Sequence, residues 1–212
     1  MKRTWITKKG KSYSLSNVGI IERNTMEWMG RTLGCLKDHR DFIQSHDLSG
    51  IPPGFQVTIG VVCDGREIIE NDPAIPNHIQ EIIIPLMAQA RSFLVASSTL
   101  VPEQQLAAAR AVREGGSLKT VTTARILQEL RLKSYILRDE SLRSRTELYS
   151  RSEINLHLMV TETHLFLALP RLDRTYDLEN IIISKEPLAV EWGRMLFYYF
   201  LSGSEKVDLS IF

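Results

Sequence analysis

The sequence predicts an α/β fold: a mostly parallel sheet flanked by helices, preceded by a β-hairpin and a long connector helix. Three observations predict it. Residues 74–132 alternate helix, strand, helix, strand and helix signals, the pattern of parallel strands joined by helical crossovers. Residues 154–170, INLHLMVTETHLFLALP, hold two apolar runs that meet at a polar join, Thr161-Glu162-Thr163, and read as a hairpin or two neighbouring strands. Residues 20–48 contain no proline and carry an apolar stripe at helical spacing.

Composition bounds the rest. A chain of 212 residues, 43% hydrophobic and 24% charged, suits one large domain, or one domain with a short appendage. Its formal net charge of +1 gives no global field toward nucleic acid or anionic membrane. Cys35 and Cys63 lack metal-ligand spacing, so free thiols in a reducing cytoplasm are expected. No apolar run reaches the roughly 18–20 residues that span a bilayer, and no membrane partner is expected. The basic N-terminus has no apolar stretch behind it, which excludes a secretory signal. No metal site and no cofactor are expected.

Taken in order, residues 5–20 form two β-prone pieces around the basic turn Lys8-Lys9-Gly10-Lys11, with Ser16 or Asn17 placed to cap a helix. This hairpin either packs on the main domain or acts as a DNA-binding wing, with Lys8, Lys9 and Lys11 meeting phosphates. In 20–50, Met26, Met29, Leu33, Leu36 and Ile43 form one helical stripe. It fits a dimerising connector and a core-packed helix equally well. Residues 49–54, SGIPPG, are the clearest break, and the domain boundary is set there: 1–19 hairpin, 20–50 connector, 51–212 α/β domain.

Residues 55–70 are β-branched and read as strand with a turn at Asp64-Gly65. A helix follows over 74–90, with Pro85 placed to kink or restart it. A strand over 93–99 ends in Ser97, Ser98 and Thr99. Pro102 opens a helix that Gly115-Gly116 ends. A strand over 118–123 and a helix over 124–132 come next. In 133–153, arginines interleave with acids and read as a solvated helix-and-loop face more than a basic patch. The two apolar runs follow, then a polar connection over 171–180, a short strand over 181–183, and an aromatic-rich helix over 187–202.

Candidate site residues fall at strand ends. Ser97, Ser98 and Thr99, with Thr123 ending the next strand, mark the edge where open α/β sheets bind ligands. Hydroxyls and helix N–H groups there favour a small polar or anionic effector; plain helix capping is the alternative. Asn155, His157 and Glu162 stand at i, i+2 and i+7. That spacing is the one in the phospholipase D signature His-x-Lys-x-x-x-x-Asp, which the triplet resembles in its last, acidic position alone. Asn155 stands where the nucleophilic histidine belongs and cannot attack phosphorus. The resemblance implies a phospholipase-D-like scaffold without its catalysis, with Asn155, His157 and Glu162 as ligand contacts or, for His157 and Glu162, structural polar residues. No serine-nucleophile elbow, Walker loop or zinc-protease motif is present. No catalytic residue is assigned; a phosphodiesterase is the alternative.

A wider resemblance spans most of the chain. Tyr13, Leu15, Ser16 and Gly19 match aromatic-x-Leu-Ser/Thr-x-x-Gly, the end of many archaeal winged-helix domains. Ile51-Pro52, Tyr176-Asp177, Ile183-Ser184, Glu186-Pro187-Leu188-Ala189, Glu191-Trp192-Gly193 and Leu196-Phe197-x-Tyr199 follow in family order. The sequence thus resembles archaeal winged-helix transcriptional regulators of the methanogenesis and filament type. The resemblance implies a wing, a connector helix and a ligand-sensing domain in a homodimer that binds DNA when the full winged helix is present, and it implies a short helix over Phe55 to Val62 where β-branching reads as strand. Tyr176 or Trp192 would wall the pocket. Too few residues precede Trp5 for the family's three N-terminal helices. The chain is therefore expected to be the back half of such a regulator, a shortened product, or a stand-alone dimeric module.

Overall fold

The computed structural model describes residues 5–63, 66–70, 78–133, 137, 139–177 and 180–211. At the N-terminus, β1 (Ile6–Lys9) and β2 (Ser12–Leu15) pair antiparallel, Ile6 opposite Leu15 and Lys9 opposite Ser12. Gly10, first of the two loop residues, has φ +62°, which a tight hairpin turn demands at that position. The Ser16 hydroxyl caps α1 (Asn17–Asp38), accepting the Gly19 N–H at 3.1 Å. A Cβ at Gly19 would strike the Trp5 carbonyl, so the hairpin and helix meet only with glycine there.

In α1 only Gly19 and Cys35 are buried. Val18, Ile21, Met26, Met29, Leu33 and Leu36 stay exposed, so the sequence's apolar stripe faces away from the body. The chain breaks at His39 and resumes as α2 (Arg40–Ser45). Residues 55–63 are helical, not extended: α3 (Pro53–Gln56) and α4 (Gly60–Cys63) occupy the stretch. Pro53 sits in the first turn of α3, where its missing N–H costs nothing. Ile59, Val61 and Val62 then bury under the last long helix of the chain, so their packing, not their β-branching, decides the conformation. The turn expected at Asp64-Gly65 lies outside the described residues.

Close approach defines the contact between α1 and α4. A Cβ at Gly60 would collide with the backbone of Arg31 and Thr32, and Thr32 Oγ1 donates to the Val57 carbonyl at 2.8 Å. Here Cys35 and Cys63, whose Cα atoms lie 5.5 Å apart, are joined in a disulfide. This corrects the expectation of free thiols. The partners are 28 residues apart in sequence, and only the helix contact reveals them.

The main sheet has eight strands: β3 (Arg66–Glu70), β4 (Ser92–Ser97), β5 (Ser117–Thr123), β6 (Thr146–Arg151), β7 (His157–Val160), β8 (Leu165–Ala168), β9 (Asn180–Ser184) and β10 (Glu205–Lys206). Their order is β10-β6-β5-β4-β7-β8-β9-β3. The α/β class holds, with helices on the sheet faces, but the sheet is mixed. Only β4, β5 and β6 run parallel, joined by α6 (Pro102–Arg113) and α7 (Ala124–Lys133). The other pairings are antiparallel. The tight return between β7 and β8 enforces their antiparallel pairing, since so short a connection cannot place strands parallel. Thr161 N donates to the His164 carbonyl at 2.9 Å and closes the β7–β8 hairpin.

Each sheet face buries its own layer. On one, Leu158, Val160, Leu165 and Leu167 pack with Trp192, Leu196, Phe197 and Phe200 of α9 (Pro187–Ser202). On the other, Phe93, Met159 and Phe166 pack with α5 (His78–Ala88), α6 and α8 (Glu140–Arg143). Pro85 lies inside α5, which continues past it; residues before His78 that were expected to start this helix lie outside the described set. All four residues of β7 are buried.

The Gly60 contact gives a direct expectation. Gly60→Ala forces α4 off α1 at a backbone contact that no side-chain rotation can relieve. A loss of roughly 2–3 kcal/mol in urea unfolding is expected.

Candidate functional site

β4, β5, β6 and β7 present alternate side chains to one face, and α6 and α7 cover it incompletely. The gap is a cavity of about 100 Å³. Four of its polar residues are linked in a chain. His157 enters from β7; its Nδ1 lies 2.8 Å from Ser97 Oγ on β4, and its Nε2 lies 3.1 Å from Gln104 Oε1 on α6. Gln104 Nε2 in turn donates to Gln80 Oε1 at 3.3 Å. That orientation leaves Gln104 Oε1 as an acceptor, so His157 carries its proton on Nε2 and accepts at Nδ1. Ser97 Oγ also accepts the Thr99 N–H at 3.0 Å and lies 3.0 Å from the Thr99 carbonyl. Beside it, Thr122 Oγ1 donates to the Ser97 carbonyl at 2.6 Å.

Burial drives the His157 pKa from 6.5 down to about 4, because no anion is at hand to hold the imidazolium. The ring is neutral at pH 7 and acts as a fixed donor and acceptor.

The remaining candidates go to different places. Ser98 and Tyr176 share a short hydrogen bond, and Tyr176 also donates to the Leu156 carbonyl at 3.3 Å. Thr123 alternates to the sheet face opposite Thr122, and it is Thr122 that lines the cavity. Asn155, just before β7, spends its amide on Asp47 Oδ2 at 2.8 Å and Ser49 Oγ at 2.9 Å. Glu162 lies past the other end of β7 and accepts the Arg91 N–H at 3.1 Å. Asn155 and Glu162 are thus about 20 Å apart along the strand. Trp192 lies across the sheet from the cavity, donating to the Phe55 carbonyl at 3.3 Å and Thr58 Oγ1 at 3.2 Å. The structure therefore gathers Ser97, Thr99 and His157, sets Ser98 and Tyr176 in contact beside them, and separates Asn155, Glu162, Thr123 and Trp192.

Sequence reasoning missed Gln104, the cavity wall from α7, and Thr146 and Leu148 of β6. A signal existed for Gln104: it falls in register with Val101, Ala108 and Ala111 on the buried face of α6, where a glutamine needs a partner.

A second polar cluster holds the connector to this domain. Asp177, buried, takes His46 Nε2 at 3.2 Å and Arg171 Nε at 3.0 Å on one carboxylate oxygen, and the Asn180 N–H at 3.1 Å on the other. Asp47 N donates to the Pro170 carbonyl at 2.8 Å. A Cβ at Gly50 would meet the Asn155 carbonyl, so the chain leaving the connector lies directly on the entry to β7.

The neutral state of His157 sets a pH dependence. Its folded pKa is below the unfolded value, so the unfolded chain binds the extra proton first as pH falls. Stability is full above about 6.5 and declines toward pH 4, by roughly 3 kcal/mol over the window. Urea unfolding at pH 7 and pH 4.5 should show this slope, flattened in His157→Gln.

Residues 76–203 match the family described as the middle domain of the methanogenesis regulatory protein FilR1. The FilR1 protein of Methanothrix harundinacea (strain 6Ac) is 28% identical over 212 residues, which cover 96% of this chain and 47% of that protein; the chain spans about half the length of that curated relative. Among solved structures, the archaeal chromatin protein TrmBL2, described as showing a novel mode of DNA binding, superposes with a TM-score of 0.55 at 15% identity, covering 96% of this chain and 77% of that one. NucT from Helicobacter pylori superposes with a TM-score of 0.51 at 10% identity over 67% of this chain and 98% of its own. These two likenesses concern the fold. The family match extends from just before α5 to just past α9 and takes in the cavity and the β7–β8 hairpin: the chain belongs to the FilR1 middle-domain family.

Proposed function

We propose that this chain is the effector-sensing and dimerising part of a transcriptional regulator, in which a ligand in the β4–β7 cavity alters how a basic hairpin is presented to DNA. One observation carries the reading. His157 lines the cavity, and Asn155, two residues earlier on the same chain, binds the end of the connector through Asp47 and Ser49. A shift of β7 toward or away from a ligand therefore moves the anchor of the connector, whose far end carries the hairpin of Lys8, Lys9 and Lys11. The ligand must favour one position over the other, or it shifts nothing. The division at 1–19, 20–50 and 51–212 follows this logic: wing, connector, sensor. The wing lysines contact phosphates, and sequence-specific binding needs the remainder of a winged helix. Relatives named as a methanogenesis regulator and as a DNA-binding chromatin protein support DNA as the partner. A DNA partner puts the chain in the cytoplasm.

A homodimer follows from α1. Met26, Met29, Leu33 and Leu36 are spaced three, four and three residues apart and all are exposed. A second copy of the same stripe is the partner this spacing fits, as the a and d positions of a short coiled coil. Catalysis is not part of the reading. Asn155 and Glu162, the ends of the phosphodiesterase-like triplet, are engaged at opposite ends of β7. A neutral His157 with both nitrogens matched is no nucleophile. Transcription control with the effector as switch, and no reaction, accounts for the geometry.

Three experiments test these points. Asn155→Ala removes the tie between β7 and the connector. Hydrogen exchange in residues 39–50 should rise by about tenfold or more while β4 and β5 keep their protection; unchanged exchange there would break the proposed linkage. Separately, duplex DNA anisotropy across salt should show sequence-independent binding whose log–log slope falls by about 2–3 when Lys8, Lys9 and Lys11 become Ala. Leu33→Glu should turn the dimer into a monomer by light scattering and weaken the same binding. Equal slopes for the wild type and the lysine variant would remove the hairpin from the DNA interface.

A further inference from the structure

We infer that the β4–β7 cavity selects an uncharged ligand with a short aliphatic body and a hydroxyl or carbonyl. This rests on the sensing role proposed above and specifies its ligand class. Among the described residues, none that lines the cavity is Asp, Glu, Lys or Arg. The titratable side chain among them, His157, is neutral at pH 7. A carboxylate or ammonium group entering this space would shed its hydration and find no countercharge, a cost far larger than that for a neutral hydroxyl.

The polar groups of the cavity point the same way. Ser97, Gln104, His157, Thr122 and Thr146 already satisfy one another or nearby backbone: Thr146 Oγ1, for example, donates to the Leu142 carbonyl at 2.9 Å. They form a dry floor, not a waiting anion site. Gln105 differs, as do the Thr99 and Thr120 hydroxyls: all three line the same space, are half-buried, and make no side-chain hydrogen bond among the described residues. A ligand hydroxyl or carbonyl placed beside Gln105 gains one hydrogen bond. The remaining wall is supplied by Val101, Ala108, Ile126, Leu130, Leu148 and Met159. An engineered apolar cavity of about 150 Å³ holds benzene, so a volume of about 100 Å³ suits an alkyl or acyl group of a few carbons. The sequence expectation of a polar or anionic effector rested on strand-end hydroxyls, of which Ser97, Ser98 and Thr122 are paired within the protein.

The test uses the full chain and straight-chain alcohols from 1-butanol to 1-octanol, each beside the carboxylate and the ammonium of equal length. Dissociation constants are measured at pH 7 by ligand-observed NMR. The alcohols should bind at least about tenfold more tightly than either charged counterpart. Ala108→Leu, which fills the cavity, should weaken alcohol binding by about tenfold or more. Gln105→Leu, at a half-exposed position that tolerates the change, should weaken it by about threefold to tenfold. Carboxylates or ammoniums binding as tightly as alcohols would overturn the inference. So would alcohol binding that both variants leave unchanged, or no binding by any probe. Alcohols that bind as expected but leave duplex DNA anisotropy unaltered would instead sink the sensing role and leave the ligand class standing.

Discussion

β7 must be dry on both faces. It sits between β4 and β8 in the middle of an eight-stranded sheet, and each of its four residues is buried. Leu158 and Val160 meet that demand on the α9 side, and Met159 does so on the other. His157 meets it only by staying neutral and giving each ring nitrogen a partner, Ser97 on one side and Gln104 on the other. The cavity exists because α6 and α7 close over a floor that is already satisfied. A floor with an unmatched donor or charge would hold water or an ion and would resist an apolar guest.

The same strand also fixes the connector. Asn155 and the Asp177 cluster hold residues 46–50 from two sides, one amide and one buried carboxylate. Removing a hydrogen-bond partner of the buried Asp177 carboxylate leaves that group to bear a desolvation cost that the contact offset. The junction is therefore stiff. By contrast α1, before its contact with α4 at Arg31 and Thr32, buries only Gly19. A stiff junction joined to a free helix is a good arrangement for passing on a small displacement.

Much of this was legible in the sequence. The bounds of α9 coincide with the aromatic-rich stretch from Pro187, because proline at the first turn and an apolar face announce such a helix. The β4–α6–β5–α7 succession was readable from alternating periods and from Gly115-Gly116. β6 was not. Its sequence TELYSR carries two charges in six residues, and its buried positions, Thr146 and Leu148, are too few to stand out from a solvated loop. Residues 55–63 misled in the opposite direction, since β-branched side chains read as strand until the packing under α9 is known. The site was half legible: Ser97, Thr99 and His157 stand at strand ends where ligands are expected, while Gln104 and the α7 wall depend on which helix crosses which strand. The Cys35–Cys63 pairing depended wholly on the approach that Gly60 permits.

That disulfide turns α1 into a lever with its fulcrum near one end. From Cys35 back to the cap at Ser16 the helix measures roughly 28 Å at 1.5 Å per residue. Over such an arm a tilt of about 10° at the fulcrum sweeps the far end by about 5 Å, and the lysine tip of the hairpin, farther out still, by more. A rearrangement at the junction too small to disturb the core of the sheet would thus carry three positive charges across more than the spacing of neighbouring phosphates. The leverage comes from length alone, and it would be lost if α1 lay down along the body instead of standing off it.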